Sequence, residues 1–368
     1  MSTTSAVGPL KGPLYLVSMA SYPNYGDELI ARRWLRHLAR TRPMDDVWLD
    51  CRHPGTASAL FAGDHPRLHV TDAIYRAMED SLHGSGREIE DIVANLGTPL
   101  YDSALLRLRE AGALHLLGGG FINAVWPQNA LVVRAMREAA RISGAPLIAT
   151  GQGLIPAGPD RLEGFDHVSV RDAPSAELIG TEPGVDDAFL LERPPAVTIG
   201  NRQVELVVCV QSDAVDEGAF DRFVEWTRGM IRSSRVPRER VRYVEALPGG
   251  DYAGYDRLRD VVAEDGFIPF TSFWRGEFAP EPHQVWVTTR FHHHLVAALN
   301  GARGVALSGR SVYYDIKHGS LVEAGSGWHV TDATRTDFPP LATLQRPRGF
   351  AEHGIRAKRT EAHMLYGS

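Results

Sequence analysis

The feature that most constrains this chain is a repeated alternation: a short apolar run, a glycine-rich or polar turn, then a segment with apolar residues at helical spacing. Leu14–Val17 is the first run, and after the turn Tyr22–Gly26 the residues Ile30, Trp34 and Leu38 share one helical face. Asp27 is placed to cap that helix, with Glu28 in its first turn. Ala113–Leu117 is the next run, closed by Gly118, Gly119 and Gly120, and Leu131 to Ile142 reads as a helix. Pro146–Thr150 and His167–Val170 read as strands, and Pro174–Ile179 as a short helix. The pattern breaks at Glu192, Arg193, Pro194 and Pro195, with Gly200–Asn201 beyond, and resumes with strands near Glu205–Val210, Val241–Ala246, Val285–Thr288 and Gly304–Leu307. Pro54–Glu110 reads as helical insertions. Strands alternating with helices predict an α/β protein with parallel sheets covered on both faces. The break predicts two doubly wound domains, 1–195 and 196–335, facing a cleft, with 336–368 packing back on the first.

Composition narrows the function classes. A chain of 368 residues has room for two domains, and 43% hydrophobic with 23% charged residues excludes disorder as the main state. A net charge of −6 argues against nucleic acid as a partner. Cys51 and Cys209 stand far apart in apolar surroundings, so neither a disulfide framework nor a zinc cage is expected, and a reducing compartment fits better. The amino terminus lacks a secretory pattern, and no run approaches the roughly 20 apolar residues that cross a bilayer. The expectation is a cytoplasmic protein with no transmembrane segment, with peripheral attachment at the inner face of the membrane left open.

The segment Val285-Trp-Val-Thr-Thr-Arg-Phe-His-His-His-Leu carries the most chemistry. A strand ends at Arg290 and a helix begins at once, so the arginine stands at the carboxyl edge of a parallel sheet, where ligands bind. A helix amino terminus suits an anion, and a guanidinium can grip a carboxylate or phosphate with two bonds. His292, in the first turn, is a candidate proton donor; a surface arginine with a helix-capping histidine is the plainer alternative. His292, His293 and His294 are not a metal site, because consecutive helical residues point about 100° apart. No metal and no cofactor is expected. Lys317, in Tyr313-Tyr-Asp-Ile-Lys317, is either a second cationic contact or an ordinary surface lysine. Arg171, ending the strand His167–Val170, is either a ligand contact or part of a polar turn with Asp172. Gly118–Gly120 lacks both the G-x-G-x-x-G and the lysine-bearing phosphate-loop patterns, and close strand–helix packing explains it equally well.

The order of these elements is more informative than any one of them. Asn24-Tyr-Gly-Asp27, Leu117-Gly-Gly-Gly120, Gly151-Gln-Gly153, Ser169-Val-Arg-Asp172 with Ser175, Asp186–Asp187, Arg290-Phe-His292 and Tyr314-Asp-Ile-Lys317 together resemble the polysaccharide pyruvyl transferase family. Phe291 and His293 depart from it, since that family usually has leucine and a small residue there. The resemblance implies two Rossmann-like domains like those of the glycosyltransferase-B class. It also implies transfer of a pyruvyl group from phosphoenolpyruvate to a sugar of a surface polysaccharide or its precursor, with a lipid-linked acceptor left open. The first domain is then the acceptor side and the second the phosphoenolpyruvate side. Catalytic candidates are His292, Arg290 and Asp27; substrate-binding candidates are Arg171, Lys317, Asn24, Gly26, Gly119, Gly120 and Trp274, the last as an aromatic platform for the sugar. Asp27 as a plain helix cap remains the alternative to Asp27 as base. Two rivals stand beside this reading: a nucleotide-sugar glycosyltransferase on the same fold, favoured by Glu277 beside Trp274, and a catalytically silent glycan- or partner-binding relative.

Overall fold

A computed structural model of the protein describes residues 11–95, 102–213, 218–309 and 312–367, with backbone only for residues 102 and 312–315. The first sheet contains β1 (Leu14–Val17), β2 (Val47–Asp50), β3 (Leu68–Thr71), β4 (Ala113–Leu116), β5 (Leu147–Gln152) and β6 (His167–Val170). Its spatial order is β3-β2-β1-β4-β5-β6, and every pairing is parallel. The second contains β7 (Glu205–Cys209), β8 (Val241–Val244), β9 (Phe267–Ile268), β10 (Gln284–Thr288), β11 (Arg303–Leu307) and β12 (His329–Thr331), in the order β12-β11-β10-β7-β8-β9, again all parallel. Counted from the first strand of each, both sheets run third-second-first-fourth-fifth-sixth, the doubly wound Rossmann order.

The central strands explain why this order is stable. All four residues of β1 and all of β4 are buried, as are all five of β10. A strand buried on both faces needs helices above and below, and only crossover connections supply them between parallel neighbours. Each fully buried valine or leucine there contributes about 1.5–3 kcal/mol.

The chain divides into two compact units: residues 1–22, 27–191 and 356–368 in the first, and residues 23–26 and 192–355 in the second. Residues 336–355 therefore cluster with the second unit, and the return to the first begins at Arg356. Lys358, on the helix Phe350–Tyr366, fastens that return: fully buried, it pairs with Asp187 at 2.8 Å and Glu361 at 2.6 Å.

Four strands escape the sequence reading: β2, β3, β9 and β12. Both β9, only two residues long, and β12 are short and half-exposed edge strands, too brief for an apolar run to register. The strand β3 carries the polar pair His69 and Thr71 and closes one edge of the first sheet, so Pro54–Glu110 is not purely helical. The helix after β1 starts at Tyr25, which puts Asp27 inside its first turn rather than at its cap. Among the described residues no helix is long and apolar enough to cross a membrane.

Candidate active site

In the second sheet the winding direction reverses between β7 and β10, and loops leaving their carboxyl ends diverge to leave a crevice. The turn Thr289–His292 leaves β10 at this point, and its backbone is tied on several sides. Thr289 N–H donates to the Cys209 carbonyl at 3.1 Å, and its hydroxyl oxygen accepts from Gln211 N–H at 2.9 Å. Arg290 N–H donates to Thr288 Oγ1 at 2.9 Å. Arg290 is the N-cap of the helix Phe291–Leu299, whose first bond runs from His294 N–H to the Arg290 carbonyl at 3.2 Å. The arginine is thus fixed in backbone before its side chain makes any contact.

That side chain lies between two unequal carboxylates. Asp251 is fully buried; it accepts from Arg290 Nε at 3.0 Å, and its other oxygen accepts from the amides of Ala246 and Leu247 at 2.8 and 2.9 Å. Burial alone would raise the Asp251 carboxyl, but the Arg290 charge and hydrogen bonds, with those two amides, hold it below the usual carboxylate range. The second partner, Asp213, meets Arg290 Nη2 at 2.7 Å and is 45% exposed, whereas Arg290 itself is 12% exposed. Sequence reasoning missed both acids. The Gly249-Gly250-Asp251 turn is the one visible signal of Asp251, and nothing along the chain shows that it folds back onto β10.

The same carboxyl edge receives residues 23–26. Tyr25 N–H donates to the Ala246 carbonyl at 3.0 Å, and its ring stacks on Phe273 at 4.3 Å. Gly26 lies directly against His292: a side chain of any kind on Gly26 would overlap the imidazole. The structure therefore brings Gly26, beside Asn24, to Arg290 and His292 within one unit. His293 and His294 turn away and are fully buried, His293 among Tyr25, Phe273 and Trp286. Lys317 is half-buried on the helix Val312–Leu321, while the side chains of Tyr313, Tyr314 and Asp315 lie outside the described residues.

Trp274 is not the open platform expected. It keeps 8% of its surface exposed, is stacked on Phe270 and meets Tyr25 edge-on, so its faces serve packing.

In the first unit, Asp27 and Gly119 come together: a Cβ on Gly119 would stand 3.7 Å from Asp27 Oδ1. Gly119 has φ of +156° and faces the Phe121 ring, so packing requires its lack of a side chain. Its carbonyl accepts from Gly153 N–H at 2.8 Å, and the Gly120 carbonyl from Asn123 at 2.9 Å. The Gly118 amide is engaged by Asp187 at 2.9 Å and is not offered to a phosphate. Arg171 is buried and pairs with Asp186 at 2.8 Å, both side chains nearly inaccessible. Arg171 is thus held in a buried ion pair, not presented as the open substrate contact expected.

Two parallel Rossmann-order sheets in succession, with a charged cluster at the carboxyl edge of the second, define an α/β protein of the glycosyltransferase-B-like class. The chain belongs to the polysaccharide pyruvyl transferase family, whose profile matches residues 24–265. The match begins at Asn24 and ends before Trp274, Arg290, His292 and Lys317. No curated protein sequence matches the chain. Among solved structures, the UDP-GlcNAc 2-epimerase from Neisseria meningitidis bound to UDP-GlcNAc has a TM-score of 0.53 at 9% identity, covering 96% of this chain and 99% of that one. The Methanocaldococcus jannaschii enzyme in complex with UDP-GlcNAc and UDP gives 0.53 at 11% identity over 95% and 99%. A UDP-N-acetylglucosamine 2-epimerase described as putative, from Listeria monocytogenes, gives 0.52 at 12% identity over 96% of each chain. At such identities the likeness is one of fold.

Proposed function

We propose that the protein transfers the pyruvyl group of phosphoenolpyruvate to two hydroxyls of a sugar in a surface polysaccharide or its precursor, forming a pyruvate ketal. The observation that supports this most is the meeting of Gly26 with His292 beside Arg290, at the switch point of the second sheet. The reaction adds a proton to the methylene carbon of the donor, which leaves cationic character on the adjacent carbon. One sugar hydroxyl attacks that carbon, phosphate departs, and the second hydroxyl closes the ketal. Of the two hydroxyl protons lost, one balances the new methyl group and the other leaves with phosphate.

Fixed positive charge must hold a donor that carries both a carboxylate and a phosphate. Arg290, clamped from behind by Asp251, supplies it, and the donor competes with the exposed Asp213 for the guanidinium. Lys317 is the second cation. His292 delivers the proton or steadies the departing phosphate. Asn24 and Gly26 shape the donor side. The first domain takes the acceptor, with Asp27 as base for a sugar hydroxyl beside Gly119 and Gly120. The enzyme acts in the cytoplasm, on a soluble or lipid-linked acceptor.

The test is phosphate release from phosphoenolpyruvate that depends on a glycan acceptor, with mass spectrometry of the product for the pyruvyl ketal. Consumption of a nucleotide-sugar, with phosphoenolpyruvate left intact, would overturn this reading.

A further inference from the structure

Behind the Arg290 turn lie two buried histidines that the proposed chemistry does not use. His318 Nε2 stands 3.2 Å from the Thr289 carbonyl, its Nδ1 stands 3.1 Å from His294 Nδ1, and His294 Nε2 stands 2.9 Å from Ser326 Oγ. Both rings are fully buried, and His294 also stacks on Trp328 at 4.2 Å.

Hydrogen-bond direction fixes the proton positions. A carbonyl only accepts, so His318 Nε2 carries a proton and donates it. Burial pushes the His318 imidazolium down to about 4, and burial, then His318 itself, holds His294 well below its ordinary range; both rings are neutral. Neutral His318 therefore presents a bare Nδ1, and the close approach of the two Nδ1 atoms is attractive only if His294 Nδ1 bears the proton. That leaves His294 Nε2 as the acceptor of the Ser326 hydroxyl, whose oxygen accepts a long bond of 3.4 Å from Trp328 N–H. The relay runs one way, from Ser326 through His294 and His318 to Thr289.

We propose that His318, held by His294, is a positioning residue for the Arg290–His292 turn. The carbonyl it grips belongs to Thr289, whose amide and hydroxyl are already tied to Cys209 and Gln211 at the end of β7. The third tie reaches the helix Val312–Leu321, where His318 directly follows Lys317. One bond thus sets the register between the element that carries Arg290 and His292 and the element that carries Lys317. The kinetic arm of the test rests on the transferase reading; the spectroscopic arm does not.

Nitrogen-15 NMR of histidine-labelled protein at neutral pH should show His318 protonated at Nε2 and His294 at Nδ1. A reversed pair, or an imidazolium at either ring, overturns the relay. His318→Phe keeps an aromatic ring at the position and loses both bonds, whereas His318→Gln keeps a donor for Thr289. In the folded Phe variant the His292 ring resonances should move, and kcat/KM should fall about 10- to 100-fold, as small misplacements of reacting groups do; the Gln variant should recover part of the loss. A folded His318→Phe protein with unmoved His292 resonances and wild-type kcat and KM would refute the positioning role. Wild-type protein with the expected tautomers and shifts but no turnover of phosphoenolpyruvate would instead refute the transferase reading, with the positioning still read from the His292 resonances.

Discussion

The imidazole of His292 rests on the backbone of Gly26, at a distance that admits no side chain on the glycine. The two residues stand far apart in sequence, in the first and sixth of the seven motifs. Their contact turns the glycine of Asn24-Tyr-Gly-Asp27 from a turn residue into the floor under a candidate proton donor. Gly26→Ala should therefore push the imidazole away and lower turnover by about 100-fold, with little change in fold stability. In a His292→Ala background the same substitution should cost almost nothing further. Additive losses in this double-mutant cycle, measured by steady-state kinetics, would break the link.

Arg290 has a structural task as well as the proposed one. Arg290→Ala removes donor binding but also leaves the buried Asp251 carboxylate uncompensated, which costs about 3–5 kcal/mol. Arg290→Ala combined with Asp251→Asn should regain much of the stability without regaining donor affinity. Asp213→Asn should instead tighten phosphoenolpyruvate binding several-fold, since it removes an exposed competitor. Calorimetric titration beside denaturant unfolding separates the three effects, and weaker donor binding by Asp213→Asn would contradict the competition.

Acid should destabilise the second unit. Burial depresses His293 to about 3 and His318 to about 4, and holds His294 well below its ordinary range. In the unfolded chain each histidine takes up its proton near 6.5. Stability is thus intact above about pH 6.5 and is lost as pH falls from there towards 4, because the unfolded state binds protons that the folded state refuses. Three such groups make the loss about 4 kcal/mol per pH unit at full slope. Unfolding curves at pH 7, 6 and 5 would show it, and a flat profile would contradict it. The same burial makes His293→Ala and His294→Ala cavity-forming changes, so their turnover must be compared per folded molecule.

Lys358→Met should destabilise the first unit by about 3–5 kcal/mol by stranding Asp187, which also accepts from Trp34, Gly118 and Thr150. Adding Asp187→Asn should recover only part of that, because those three donors then face a weaker acceptor. Full recovery in chemical denaturation would show that Asp187 matters only as the partner of Lys358.

Periodicity alone showed the alternation of strands and helices, its interruption at Glu192–Pro195, and the position of Arg290 at a strand end. These are local properties: a buried central strand must be apolar along its length, and a helix must repeat its apolar face. The brief edge strands β9 and β12 stayed hidden because a half-exposed edge imposes no such pattern. The order of motifs also carried Gly26 and His292 as separate candidates. Tertiary structure alone decided what each candidate touches. It gave Arg290 two acids, shut Arg171 into a pair with Asp186, buried Trp274, and set His318 against Thr289. Contacts of that kind depend on which strands become neighbours, and β8 and β10 both flank β7 although the chain separates all three. A charged residue at a strand end reads the same in sequence whether it faces a ligand or a buried counter-ion, because the cost of burying charge is met by a partner that only the fold brings near.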